Sequence, residues 1–159
     1  MRGRSLRASI SPFWLVLMVA MIALIWGNSL VPGEGSSSIS LAVMNAVHGV
    51  LRAFNLPYEW VTNFLIRKTA HFTEYAVLGV LASQAFDPQR TVSRRGLIAA
   101  AVVCVLVPSI DETIQLFVSD RSGQVTDVLL DCCGAATGIF LRTQMTRFLP
   151  GRKRVKRAN

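Results

Sequence analysis

A chain of 159 residues that is 52% hydrophobic, only 16% charged and has a mean hydropathy of +0.43 is too poor in charge for an ordinary soluble domain, where about a quarter of residues are charged. Its net charge of +8 comes from short Lys/Arg clusters between apolar runs, a topology signal that excludes nucleic acid as a partner because no basic stripe is interleaved with aromatics. Cys104, Cys132 and Cys133 all fall within apolar segments, which excludes a disulfide framework or zinc spacing and leaves them as small packing residues.

The expected fold class is all-α: a polytopic membrane protein with about four transmembrane helices plus one short amphipathic interfacial helix. A basic cytoplasmic N-terminus occupies 1–12, the transmembrane domain 13–141 and a basic cytoplasmic tail 142–159. The first span, 13–31, has no charge. At about 1.5 Å per residue it is long enough to cross a ~30 Å hydrocarbon core. Ser11-Pro12 is a helix start, a capping residue followed by proline in the first turn. The run is long for a signal peptide and lacks a small-x-small cleavage site, so an uncleaved helix is expected. The Gly/Ser-rich stretch 31–38 reads as a turn. Residues 39–54 place Leu41, Met44, Val47, Val50 and Phe54 at helical spacing, an interfacial helix with His48 as a surface or packing residue. Pro57 ends it, and Tyr58 and Trp60 suit a water–lipid boundary.

Further spans are expected at 64–86, 97–118 and 125–141. Pro108 inside the third either kinks it or frees a carbonyl that a neighbour must satisfy. Gly134 and Gly138 give the fourth a small-xxx-small face for close helix approach. With the N-terminus inside, Arg2, Arg4, Arg7, Arg90, Arg94, Arg95, Arg142, Arg147, Arg152, Lys153, Arg154, Lys156 and Arg157 are cytoplasmic, thirteen cations against four (Arg52, Arg67, Lys68, Arg121) outside. That bias requires an even number of spans and puts both termini in the cytoplasm of a multi-pass cell-membrane protein. The basic run Arg152–Arg157 also suits anionic lipid.

Depth then locates the chemistry. Counted from the cytoplasmic ends, His71, Asp111 and Asp127 each lie ~21–22 Å up their helices, with Glu74 and Asp131 a turn deeper. His71 and Glu74 are spaced i,i+3, with Lys68 and Tyr75 near the same face. Asp111 with Gln115, and Asp127 with Asp131, are spaced i,i+4. Each ionised group near mid-membrane costs on the order of 2.5–3.5 kcal/mol, so His71, Glu74, Asp111, Glu112, Asp127 and Asp131 must face one another or a wet cavity, or be partly protonated. Three readings follow. One is a structural network of buried ion pairs that sets helix register, with Lys68 or Arg121 against carboxylates. Another is a receptor pocket for a polar headgroup, with Arg67, Lys68 and Arg121 as anion contacts. The third is an enzyme using His71 or Glu74 as base, with Asp111 and Glu112 as further catalytic candidates and a divalent metal on the carboxylates. No cofactor is expected; the enzymatic reading alone admits a divalent metal at the carboxylate/His cluster, and it runs equally on an acid/base pair with separated pKa values.

Arg67-Lys68-Thr69-Ala70-His71-Phe72-Thr73-Glu74-Tyr75 resembles the R-K-x-x-H-x-x-E-Y segment of VanZ-like membrane proteins, and Asp111-Glu112-x-x-Gln115-x-Phe117 resembles their D-E-x-x-Q-x-F segment. Arg121, Asp127, Asp131, Gly134 and Gly138 follow at the spacing of that family, with Asp131 where the family often carries Asn. Including Asn28-Ser29 and the serine-rich turn, the likeness runs from about Trp26 to Leu141. It implies a small polytopic protein of the bacterial cell envelope, in a family whose founding member is associated with resistance to the glycopeptide teicoplanin. The expected ligand-binding residues are Arg67, Lys68, His71, Glu74, Tyr75, Asp111, Glu112, Gln115, Arg121, Asp127 and Asp131. Besides the bilayer, the expected partner is a lipid-linked envelope precursor or its phosphate. An enzyme acting on such a lipid and a ligand-free polar network are the alternatives.

Overall fold

A computed structural model of the chain describes residues 10–89 and 93–148, with side chains as far as Met145. Arg2, Arg4, Arg7, Arg90, the side chain of Arg147 and the basic run Arg152–Arg157 lie outside the described residues. Those that are described form five α-helices and no strand: α1 (Pro12–Ser29), α2 (Gly33–Ala53), α3 (Asn63–Phe86), α4 (Arg94–Gln115) and α5 (Val125–Phe148). The expected all-α class stands. α1 and α4 are long and apolar enough to cross a membrane. α3 and α5 are longer, at 24 residues each, but carry the polar residues that lower their hydropathy.

α3 is the centre of the bundle, packing on α1, α4 and α5, with α2 against its outer side. The core is small and mostly aliphatic: Met18 and Ile25 of α1, Leu78, Ala82 and Ala85 of α3, Ala100, Cys104 and Val107 of α4, and Ala135 of α5 form one buried cluster with Tyr75. Pro12 at the first helical position costs α1 no hydrogen bond, since that N–H has no intrahelical acceptor. The expected Ser11 side-chain cap does not form. Its backbone N–H instead donates to Ala85 O at 3.0 Å, tying the start of α1 to the end of α3.

Pro108 lies inside α4, where it cannot donate to the carbonyl four residues back, that of Cys104. The Cys132 thiol of α5 lies 3.5 Å from that oxygen as its donor. Cys132 therefore fills a backbone vacancy as well as space. Between α3 and α5 the backbones touch. A Cβ on Gly138 would stand 1.9 Å from Ala76 O, one on Gly134 2.5 Å from Phe72 O, and one on Gly79 2.1 Å from Ala135 O. The small-residue face expected on the fourth span is thus in use, and α3 supplies its own glycine.

Several boundaries differ from expectation. The stretch 31–38 is not a turn: α2 begins at Gly33 and runs 21 residues, so it is not short. Pro32 precedes it as N-cap and Glu34 in its first turn favours the helix dipole. Its serines bond back within the helix, Ser38 Oγ to Gly35 O at 2.7 Å and Ser40 Oγ to Ser37 O at 3.0 Å. Gly33 N also donates to Ser119 O at 3.0 Å, a partner far away in sequence. α4 starts at Arg94 rather than 97, because Ser93 Oγ caps it by accepting from Gly96 N at 3.1 Å, and it ends at Gln115 rather than 118. α5 continues to Phe148, so 142–148 belongs to the helix rather than a tail. α1 ends at Ser29 rather than 31. His48 is a packing residue as expected, with Nε2 2.8 Å from Val61 O.

Candidate functional site

The end of α1, the first half of α3, the end of α4 and the start of α5 meet at one end of the bundle, and nearly every expected site residue lies there. At the centre are His71, Asp111, Glu112 and Asp131. One potential ligand atom from each lies within 4.8 Å of all the others. Asp111 and Asp131 are completely buried, and Glu112 nearly so. Gln115, a turn along α4, holds the two α4 carboxylates with a single amide nitrogen, 3.3 Å from Asp111 Oδ2 and 3.1 Å from Glu112 Oε1. The same nitrogen lies 3.4 Å from the hydroxyl of Ser29 at the end of α1. Tyr75 is wholly buried with its hydroxyl beside Asp111.

The segment after α4 explains why Glu112 joins Asp111, although adjacent residues point about 100° apart around a helix. This segment folds back over the end of α4. Gln124 N donates to Glu112 Oε2 at 2.7 Å, and Gly123 sits where a Cβ would be 2.1 Å from Glu112 O. Asp131 differs from its neighbours. Neither of its oxygens has a hydrogen-bond partner, and the His71 Nδ1 that faces it is 3.8 Å away.

Asp127 does not join this group, despite the equal heights counted along the helices. Its carboxylate is held by the ammonium of Lys68 in a close ion pair. A rise per residue gives height but not which neighbour a side chain meets, and Asp131, one turn further on, is the residue that faces His71. Arg121 departs from expectation as well. It pairs with no carboxylate; its Nε donates to Val31 O at 3.0 Å and its Nη2 to Asn28 O at 2.8 Å, closing the α1–α2 corner.

Beside the cluster, a cavity of about 610 Å³ opens between α1, α2 and α3, within the ~300–1,000 Å³ of small-molecule sites. Its lining includes the polar Asn28, Ser29, Arg67, His71, Glu74 and Arg121 and the apolar Met21, Ile39, Val43, Ile66 and Val77. Glu74 accepts from Asn28 Nδ2 at 3.2 Å. Among the described residues Arg67 makes no hydrogen bond or ion pair. Burial, and then the neighbouring Arg67, push the Arg121 guanidinium below its ordinary value, an electrostatic cost that an anion between the two would relieve. His71 belongs to both cavity and cluster.

Two residues carry more of this site than their composition suggested. Asn28 and Ser29 close an apolar run, and only their place in the VanZ-like pattern marked them out. At the opposite end Arg142, expected only as one of the cytoplasmic charges, is buried against Asp87, with Nη1 3.5 Å from Asp87 Oδ2 and Nη2 3.1 Å from Gln84 Oε1. No curated protein and no solved structure matches the chain. The family model described as VanZ/LLP1 matches residues 13–145, spanning all five helices and every residue of the site, and the chain belongs to that family.

Proposed function

We propose that this is a four-span membrane protein whose cavity binds an anionic amphiphile of the cell envelope, a lipid-linked precursor carrying phosphate. In this reading α1, α3, α4 and α5 cross the bilayer and α2 lies at its surface. The distribution of polarity supports the spans. Val16, Val19 and Leu24 of α1, Ile98, Val102 and Val105 of α4 and Phe140 of α5 are all at least half exposed, while Asp111, Glu112, Gln115, Asp131 and Arg142 are buried. A protein with its apolar side chains outside and its acids inside suits a hydrocarbon solvent. With the termini in the cytoplasm, a cysteine introduced by Ser122→Cys is expected to react with an impermeant maleimide in intact cells and one introduced by Gln89→Cys is not. The opposite pattern would invert the topology.

The observation that carries the ligand reading is the two-part lining of the cavity. Arg67 and Arg121 line it together with the apolar side chains of Met21, Ile39, Val43 and Val77. Scaffolding accounts for Lys68–Asp127 and Arg142–Asp87, pairs already satisfied within the protein. It does not account for Arg67, half-buried at the cavity with no hydrogen bond or ion pair among the described residues. Any contribution to glycopeptide resistance runs, on this reading, through occupancy of this cavity.

Native mass spectrometry of the detergent-solubilised full chain with a polyprenyl phosphate and the matching uncharged polyprenol tests it. The phosphate form is expected to bind, and Arg67→Gln to weaken it by about 10–100-fold, the equivalent of one hydrogen bond to a charged group at about 1.5–3 kcal/mol. Binding of the alcohol would hardly change. Equal affinity for phosphate and alcohol in the wild-type protein would overturn the assignment.

A further inference from the structure

We infer that His71, Asp111, Glu112 and Asp131 form a binding site for one divalent cation with affinity for mixed imidazole and carboxylate ligands, Mn²⁺ or Zn²⁺. The four residues come from three helices, α3, α4 and α5, and offer one nitrogen and three oxygens mutually within 4.8 Å. Ligands on a single ion at bond lengths of about 2.0–2.3 Å stand about 3–4.5 Å apart, so the group closes onto one centre with side-chain shifts of a few tenths of an ångström. One imidazole with carboxylates suits Mn²⁺, Fe²⁺ or Zn²⁺ better than a purely oxygen-seeking ion such as Ca²⁺.

Clustered acids alone would not carry this. The decisive feature is Asp131, a fully buried side chain aimed into the group with both oxygens lacking a hydrogen bond. The Nδ1 of His71, facing it at 3.8 Å, lacks one too. Buried acceptors without donors are rare in folded proteins, and an ion is one of the few things that satisfies them. The other two acids are held from behind: Gln115 bonds both, and Gln124 N bonds Glu112 Oε2. Such outer contacts orient metal ligands while leaving lone pairs free for the ion. The nearby cations do not supply the missing donors, since Lys68 is bound to Asp127 and Arg121 to two backbone carbonyls. Three carboxyls so close together repel one another when ionised, and a divalent cation offsets that repulsion.

The full chain, purified in detergent, stripped with chelator and titrated calorimetrically with Mn²⁺ and separately with Zn²⁺, is expected to take up one ion. Asp131→Asn is expected to weaken uptake at least about tenfold. Asp127→Asn, adjacent but outside the ligand set, is expected to change it only slightly. Thermal unfolding guards against a folding artefact. Without metal, Asp131→Asn should unfold at or above the wild-type temperature, because a repelling charge is gone. Added metal should raise the unfolding temperature of the wild type and leave the variant unmoved. Absence of saturable uptake by the wild type, or equal affinity in Asp131→Asn, would overturn the site. No amphiphile is present, so this result is independent of whether the cavity binds one.

Discussion

Gly138→Leu is expected to prevent the bundle from assembling, with a loss of at least about 3 kcal/mol, the upper end of what overpacking costs in a well-packed core. Overpacking is usually relieved when side chains move aside. Here the first atom added would stand 1.9 Å from the backbone oxygen of Ala76, and backbone has nowhere to go except away with its whole helix. The Gly134–Phe72 and Gly79–Ala135 contacts lie on the same α3–α5 interface, so prising the helices apart at one breaks all three. His71 and Asp131 face each other across that interface, so the polar site is lost together with the packing. The comparison is Gly27→Leu on α1, where an added Cβ meets nothing within 4 Å. That change should be neutral or stabilising by up to about 1 kcal/mol, since glycine is a poor helix former. Thermal unfolding and the yield of monodisperse protein in detergent distinguish the two. If the Gly138 and Gly27 variants behave alike, backbone contact does not hold α3 to α5.

These contacts show what could be read from one sequence. The Gly134–Gly138 spacing announced a close-packed face, but its partner was not legible, because the matching Gly79 sits in α3 with no pattern of its own. Local composition revealed α1 directly, as an uncharged run behind a Ser-Pro start, and α4 through its long apolar stretch, though not the Ser93 cap that starts it. It misled at 31–38, where Gly and Ser suggested a turn. The helix there depends on serine hydroxyls bonding back to its own carbonyls and on Gly33 packed against Asp120 and bonded to Ser119. The first is a side-chain choice that composition leaves open, and the second is a tertiary contact invisible to any local window.

The site shows the same division. Helical spacing and depth gathered His71, Asp111 and the α5 acids at one end of the molecule, and they are there. Which α5 acid meets His71 depends on the rotation of α5 against α3, which the glycine contacts set and counting along an axis does not. Lys68 takes Asp127, and Asp131 is left to the cluster. Glu112 enters because the 116–124 segment folds back onto it. Arg121 was legible as a cation near the site, but not as a clasp on the carbonyls of Asn28 and Val31. Charge tells which residues need partners; backbone acceptors exposed by a helix end are equal competitors for them.

Arg142→Ala is expected to destabilise the protein by about 3–5 kcal/mol without touching the polar site, the cost of removing one member of a buried ion pair. Its side chain is 5% exposed and, at the far end of the bundle, serves the Asp87 carboxylate, the Asp87 backbone carbonyl and the Gln84 amide oxygen among its acceptors. Asp87 ends α3 and is itself 7% exposed, so neither it nor its carbonyl finds much water when the arginine is cut back. A lysine in its place would keep the charge but lose the planar fork that reaches several acceptors at once, and should recover only part of the loss. Replacing both partners, in Asp87→Leu with Arg142→Met, removes the stranded charge along with the pair and should be far milder than Arg142→Ala, since a buried ion pair stabilises little against an apolar pair of similar volume. A double-mutant cycle by chemical or thermal unfolding measures the coupling directly. Cation uptake per folded molecule should be unchanged in every member of the cycle, because the pair stands at the opposite end of α3 and α5 from His71 and Asp131. A loss below about 1 kcal/mol would mean that water reaches this end freely and that the pair behaves as a surface ion pair.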